Sequence, residues 1–186
     1  MVYYVAVSLD GFIAGPSGET DAFLAGGDHL SALLAEFPET VPVHVAEALG
    51  IPIAAGRFDT VIMGRNTLGP ALEIGVASPY PHLRQIVATH RPRGLSADLD
   101  VTDDPLRSVR ELKGAPGGDL WLCGGGELAG SLRPEIDRLI LKRNPVVFGR
   151  GIPLFGGSAY APRSFDLVGT RAFDSGVVIE EYAAAR

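Results

Sequence analysis

The sequence feature that most constrains the fold is an apolar run that ends in three consecutive glycines. Residues 119–123 are typical of a buried strand, Gly124, Gly125 and Gly126 follow, and helix-compatible residues begin at Glu127. Because glycine has no Cβ, a phosphate can approach the amides of such a turn, and the next helix adds a favourable dipole. The spacing is neither G-x-G-x-x-G nor the P-loop pattern. Alone, it predicts either a dinucleotide pyrophosphate site or a simple strand-to-helix connection.

Three other apolar runs end at residues that suit an anion or a turn. These runs cover residues 2–8, 58–63 and 84–88, and helical patterns lie at 28–37, 43–49 and 105–113. The alternation predicts a mostly parallel sheet with crossover helices, in which ligands bind at the carboxyl ends of the strands. The second run ends at Gly64-Arg65-Asn66-Thr67 before a break at Gly69-Pro70, and the third ends at Thr89-His90. Glycine amides, hydroxyls and cations there predict further phosphate contacts.

The last third of the chain changes from alternating elements to neighbouring strands. Residues 98–101 predict a short strand, and Asp103 or Asp104 is the expected N-cap of a helix that begins at Pro105. Residues 165–173 and 177–182 are joined by a short turn segment that contains a glycine, which predicts an antiparallel hairpin. The expected sheet is therefore mixed, with its antiparallel strands at the C-terminal side.

Length and charge limit the class of protein. With 186 residues and 46% hydrophobic content, the chain suits one domain over residues 1–186. A net charge of −6 argues against a nucleic-acid partner or an anionic membrane surface, because both need clustered positive charge. The N-terminus lacks a basic leader and no apolar stretch is long enough to span a bilayer. We expect a soluble, cytoplasmic protein.

Cysteine and histidine usage predicts that no metal is bound. Cys123 is the single cysteine, and the four histidines show no metal-ligand spacing. Cys123 lies in an apolar strand with no partner base in the sequence pattern, so we interpret it as a packing residue rather than a nucleophile. One cysteine also excludes an intramolecular disulfide, which fits a reducing compartment.

Two charged residues have alternative interpretations. Asp10 follows the first strand and is a candidate catalytic residue, as a proton relay or substrate anchor. However, Asp-Gly is also a turn former whose carboxylate accepts local amides, and we favour that interpretation. Arg150 lies in a glycine-rich, apolar segment over 145–157, where it either binds an anionic group of the substrate or is simply exposed.

Four segments together resemble the dihydrofolate reductase superfamily, and in particular the reductase domain of the bifunctional riboflavin-biosynthesis enzyme. They are Ser8-Leu9-Asp10-Gly11-Phe12-Ile13-Ala14, Met63-Gly64-Arg65-Asn66-Thr67, Cys123-Gly124-Gly125-Gly126-Glu127 and the run from Pro145 to Phe155, and a hairpin at 175–178 closes the set. Their order and spacing extend over nearly the whole chain. Residues 17–56 match least well. The resemblance implies a three-layer α/β fold with a central sheet of about eight strands.

The resemblance also implies NADPH as cofactor and a small-molecule substrate. Three groups of residues would contact the cofactor. The phosphates would lie at Gly64, Arg65, Asn66 and Thr67, with Thr89 and His90 near the 2′-phosphate; the pyrophosphate would lie on Gly124, Gly125, Gly126, Glu127 and Leu128; and the nicotinamide would lie beside Ala6, Ile13 and Ala14. The reaction implied is hydride transfer to a heterocycle or a ribosylamino-pyrimidine, as in 5-amino-6-(5-phosphoribosylamino)uracil reduction. Related domains often pair, which allows a homodimer.

Departures from the family patterns leave two alternative functions. Dihydrofolate reductase uses a carboxylate after the first loop, and Asp21 and Asp28 lie in that stretch without a matching motif. The zinc-binding deaminase half of the riboflavin enzyme needs more cysteines than this chain has, so only the reductase half is expected. The alternatives are therefore folate reduction and a non-catalytic NADPH-binding module.

Overall fold

The structure is a computed structural model, and it describes residues 1–54 and 56–185. In these described residues, ten strands and five α-helices follow one another, together with two short 3-10 helices. The strands are β1 (Val2–Val7), β2 (Phe12–Ala14), β3 (Phe58–Gly64), β4 (Arg84–Ala88), β5 (Asp100–Thr102), β6 (Asp119–Gly124), β7 (Arg138–Arg143), β8 (Ile152–Pro153), β9 (Phe165–Ala172) and β10 (Val178–Ala184). The helices are α1 (Asp28–Glu36), α2 (Val43–Leu49), α3 (Arg65–Glu73), α4 (Pro105–Lys113) and α5 (Gly126–Leu132). Within the described ranges no helix meets the length and apolarity needed to cross a bilayer.

Eight of the strands form one mixed sheet in the order β5-β4-β3-β6-β1-β7-β10-β9. The six strands from β5 to β7 are parallel to one another, whereas β10 is antiparallel to both β7 and β9. The predicted mixed, mostly parallel sheet with a C-terminal hairpin is thus confirmed. Because β1, β3, β4 and β6 are parallel, their carboxyl ends all lie at one edge of the sheet.

Alternating side chains along β1 separate the core into two halves. Val2 and Tyr4 pack on one face of the sheet, and Tyr3 and Val5 pack on the other. The first face is covered by α1 and α3, the second by α4 and α5. Period-two alternation on a sheet that is buried on both sides gives this three-layer arrangement.

Two of the predicted element boundaries are wrong. The break predicted at Gly69-Pro70 lies inside α3, which continues to Glu73. Pro70 removes one helical hydrogen bond, but Leu68 is 1% exposed in the core, and its burial holds the helix against the sheet. The strand predicted at 98–101 is β5, which begins at Asp100. In contrast, the cap predicted for α4 is confirmed, since the Asp104 carboxylate accepts the amide of Arg107 at 3.0 Å.

A second, two-stranded sheet was not predicted. β2 pairs antiparallel with β8, so that Phe12 lies opposite Pro153 and Ala14 opposite Ile152. The amide of Leu154 donates to the Gly11 carbonyl at 2.9 Å, and the Tyr3 hydroxyl donates to the Leu154 carbonyl at 3.1 Å. The glycine-rich segment after β7 is therefore held against the loop that follows β1, at the same edge of the sheet as the strand ends.

Candidate functional site

The ends of β3 and β6 bring two of the predicted phosphate-binding segments together. Met63 is in register with Gly124, and a Cβ on Gly64 would lie 3.8 Å from both the Gly124 carbonyl oxygen and the Gly125 nitrogen. The hydroxyl of Thr67, in the first turn of α3, lies 3.5 Å from the position of a Cβ on Gly125. The residues 64–67 and 124–126 therefore line one notch at the carboxyl edge of the sheet.

The three consecutive glycines lie in three different environments. Gly124 has φ of +147°, a conformation that residues with side chains rarely adopt. A Cβ on Gly126 would overlap the Pro153 carbonyl oxygen, so this glycine allows β8 to pack on α5. Gly125 has φ of −93°, and a Cβ there would contact Thr67 alone, at an ordinary distance. Neither the backbone φ at 125 nor the space around it therefore requires glycine.

The N-terminus of α3 presents free backbone amides to this notch. Its N-cap residue is Gly64, and no side chain caps the helix in the described structure. The first amides of a helix need partners, and an anion supplies them together with a favourable dipole interaction. Asn66 is exposed and Thr67 is half-buried. This end of α3 therefore offers backbone donors of the kind that suit a phosphate.

A cationic depression lies beside the end of β4. It is lined by Arg65, His90, Arg91, Pro92 and Arg93. The Arg65 guanidinium donates to the carbonyls of Arg91 and Arg93, at 2.8 and 3.0 Å, and so ties this loop to α3. The Thr89 hydroxyl accepts the Arg91 amide at 3.0 Å. Arg65 uses two of its five donors in this way, which leaves three for an anion.

Asp10 organises the loops at the end of β1. Its carboxylate accepts the Ser8 hydroxyl at 2.6 Å and the amides of Phe148 and Gly149 at 3.1 and 2.7 Å. The Ser8 hydrogen bond, followed by the two amides, lowers the pKa of Asp10 to about 2. A carboxylate that holds three donors and stays ionised is a weak proton donor near neutral pH. This geometry favours the turn-stabilising interpretation of Asp10.

The remaining predicted residues occupy the same edge in different environments. Ala6 is half-buried on β1, Ile13 packs on the core, and Ala14 is buried in the small sheet. Glu127 is exposed at the start of α5, and Leu128 packs beneath it. The Arg150 side chain is exposed in the segment before β8.

The sequence interpretation missed the contributions of β7 to this edge. Lys142 lies opposite Ala6 in the register between β7 and β1, with its ammonium 4.1 Å from the centre of the Tyr4 ring. Asn144 is buried, and its side-chain oxygen accepts the Leu24 amide at 3.1 Å. The sequence contained a signal that could have identified Lys142 as an inward-facing residue. In the alternating pattern of this strand, it lies two residues after the apolar Ile140 and therefore on the same, inward side.

Cys123 is an unreactive neighbour of this site. Burial raises the pKa of its thiol to about 11, so it remains protonated at neutral pH. This state agrees with the interpretation of Cys123 as a packing residue.

The sheet order, the three layers and the small sheet at the carboxyl edge define a dihydrofolate-reductase-like fold. The chain belongs to the RibD C-terminal domain family, whose sequence profile matches residues 1–179. Protein YwjB of Bacillus subtilis (strain 168) is 32% identical over 161 residues, which cover 83% of this chain and 81% of YwjB.

Solved structures that are similar to this chain along its length include two reductases. One is the diaminohydroxyphosphoribosylaminopyrimidine deaminase/5-amino-6-(5-phosphoribosylamino)uracil reductase of Thermotoga maritima, at a TM-score of 0.68 and 17% identity. The match covers 99% of this chain and 56% of that longer one. The other is dihydrofolate reductase of Enterococcus faecalis complexed with NADP(H), at a TM-score of 0.65 and 18% identity, covering 100% of this chain and 96% of that one. At these identities the likeness is one of fold.

Proposed function

We propose that this protein is an NADPH-dependent reductase that transfers a hydride to a small heterocyclic substrate of the ribosylamino-pyrimidine type. The main support is the notch between α3 and the Gly124–Gly126 turn, where φ and the surrounding space leave room for a side chain at 125 and close approach of a ligand would account for glycine there. Family membership and the NADP(H) complex of a protein with the same fold support the choice of cofactor. When bound, NADPH would supply the hydride.

The residues present fit this cofactor. The amides at the start of α3 and in the glycine turn suit a pyrophosphate, because backbone donors and a helix dipole both favour anions. The depression formed by Arg65, His90, Arg91 and Arg93 suits the 2′-phosphate that distinguishes NADPH from NADH. Ala6 offers a small side chain beside which a flat ring can lie. Asp10 orders the loop that closes over this end of β1.

Folate reduction is the less favoured alternative, since neither candidate carboxylate is suited to act on a pterin. The Asp28 carboxylate accepts the amides of Asp174 and Ser175, at 2.8 and 3.0 Å, and so fixes the turn between β9 and β10. Burial alone would raise the pKa of Asp28, but these amides outweigh it and leave the pKa below its usual value. Asp21 is exposed. The Thermotoga reductase, whose substrate is a ribosylamino-uracil, therefore gives the better guide to the substrate class.

Loss of NADPH absorbance tests this proposal. The purified protein is mixed with NADPH and either 5-amino-6-(5-phosphoribosylamino)uracil or dihydrofolate. We expect oxidation with the first substrate. Faster turnover of dihydrofolate would replace the proposal with its alternative, and binding of NADPH without turnover of either would favour the non-catalytic module.

We further infer that the protein works in the cytoplasm as a homodimer. The edge strand β9 exposes Leu167 and Val168, at 59% and 51%, and a second copy is a suitable cover for this apolar pair. Light scattering measures the mass directly. A monomer at micromolar concentration would contradict the dimer and leave the reductase proposal unaffected.

A further inference from the structure

Lys142 is a charged residue in a position where the fold does not need one. It lies near the carboxyl end of β7, between Ala6 of β1 and Ile179 of β10 in register, on the face that carries Tyr4 and Ile140. The side chain is half-buried, and its ammonium lies over the Tyr4 ring. An apolar residue would satisfy the packing at this place, so the charge requires another explanation.

The ammonium of Lys142 has no acidic partner in the part of the chain that the structure describes. The only other lysine, Lys113, pairs with Glu135 and Asp137 at 3.7 and 2.9 Å. The neighbouring Arg143 pairs with Glu180 at 2.6 Å on the opposite side of β7. Charged groups that are partly buried are normally paired, so an unpaired ammonium at this position is ready to accept an anion.

The ionisable groups around Lys142 do not neutralise it. Tyr4 on β1 is deeply buried, and burial raises the pKa of its hydroxyl. Cys123 on β6 and Tyr80, just before β4, also have raised pKa values because of burial, so both are neutral at pH 7. On α1, the Glu36 carboxylate pairs with Arg171 instead. Burial lowers the pKa of Lys142 to about 8, which still leaves it mostly charged.

We propose that Lys142 is a substrate-binding residue whose ammonium takes an anionic oxygen, such as a carboxylate or phosphate, on the molecule that is reduced. This rests on the proposed function, because it places the substrate near Ala6 at the carboxyl end of β1, beside the expected position of the cofactor ring. The nearest alternative is that Lys142 only covers the Tyr4 ring through a cation–π contact. That contact would give the ammonium no reason to respond to a small anion.

Carbon-13 labelling at the lysine Cε position gives a direct test, because the chain contains only Lys113 and Lys142. Acetate is the probe, acetamide is the neutral control of the same shape, and chloride holds the ionic strength constant. We expect acetate to move the Lys142 signal in a saturable way and to raise its pKa, while the Lys113 signal stays in place. By linkage, a rise of one unit corresponds to about tenfold tighter binding of acetate to the charged form.

Two variants complete the test. In the parent protein, acetate should also shift the NMR signals of the Ala6 and Cys123 amides. These amide shifts should be lost in Lys142→Met and retained in Lys142→Arg, because arginine keeps the positive charge. The matched control Lys113→Met should respond as the parent does. The proposal is overturned if acetate leaves the Lys142 signal of the parent unmoved, or if acetamide moves it equally.

The same samples separate this proposal from the proposed function. NADPH is titrated into the parent protein in a parallel experiment. Failure of NADPH to bind would remove the reductase proposal, while the acetate response of the protein alone still decides whether Lys142 accepts an anion. Binding of NADPH without an acetate response would remove the role of Lys142 only.

Discussion

Replacing Gly125 by alanine should abolish dinucleotide binding and leave the fold intact. The backbone at Gly125 has φ of −93°, which alanine adopts without strain, and the new methyl group would contact the Thr67 hydroxyl at 3.5 Å. A glycine-to-alanine change at a compatible site stabilises a protein by about 0.4–1 kcal/mol, through the unfolded chain. The melting temperature should therefore stay the same or rise slightly.

The effect on binding should be much larger than the effect on stability. The methyl group would occupy the notch between the glycine turn and Thr67, where the pyrophosphate is expected. Each charge-assisted hydrogen bond lost there costs about 1.5–3 kcal/mol. Losing two of them would weaken NADPH binding by at least about a hundredfold.

Gly126→Ala provides the matched control. Its Cβ would overlap the Pro153 carbonyl, so β8 must shift, and overpacking of this kind costs about 1–3 kcal/mol. Thermal melting of both variants without ligand, followed by calorimetric titration with NADPH, separates the two effects. A folded Gly125→Ala protein with the affinity of the parent would refute the reasoning, because the glycines would then be a turn and nothing more.

Three further predictions concern charge and metal. Arg65→Ala should weaken the binding of NADPH more than the binding of NADH, because Arg65 lines the cationic depression and holds its loop. The preference for NADPH that should be lost is about tenfold in Kd, and calorimetric titration with both cofactors measures it. The hydrogen bonds to Asp10 lower its pKa from the ordinary 3.8 to about 2, so its contribution to stability is present above pH 3.8 and lost as the pH falls towards 2. Asp10→Asn should therefore melt with a weaker pH dependence over this interval than the parent, and an identical profile would contradict the role of Asp10. NADPH oxidation should survive EDTA, and activity lost to EDTA and restored by zinc would contradict metal independence.

The sheet was predictable from the sequence because its signals are local. The apolar runs that form β1, β3, β4 and β6 each end in glycine or polar residues, and the helical patterns between them require parallel crossovers. The hairpin of β9 and β10 followed from a turn segment between two strand-like runs. These features depend on residues that are close together in the sequence, so the pattern of apolar and turn-forming residues is sufficient to predict them.

Contacts between distant segments were not predictable in the same way. The pairing of β2 with β8 joins residues far apart in the chain, and β8 is two residues long. The helix α3 continues through Pro70 because burial of Leu68 outweighs a local break signal. Nothing in the sequence near Lys142 shows that its neighbours are Tyr4 and Ala6. Tertiary packing decides each of these features, and local propensity does not.

The central claim is that NADPH binds in the notch between α3 and the glycine turn, and an amide chemical-shift map of the protein titrated with NADPH tests it most directly. The account predicts saturable binding, with the largest shifts at the amides of residues 64–67 and 124–126. A second concave region, lined by residues that include Ile86, Val101 and Leu112, lies elsewhere on the molecule, at β5 and α4. Shifts concentrated there, or no shifts at all, would contradict the account.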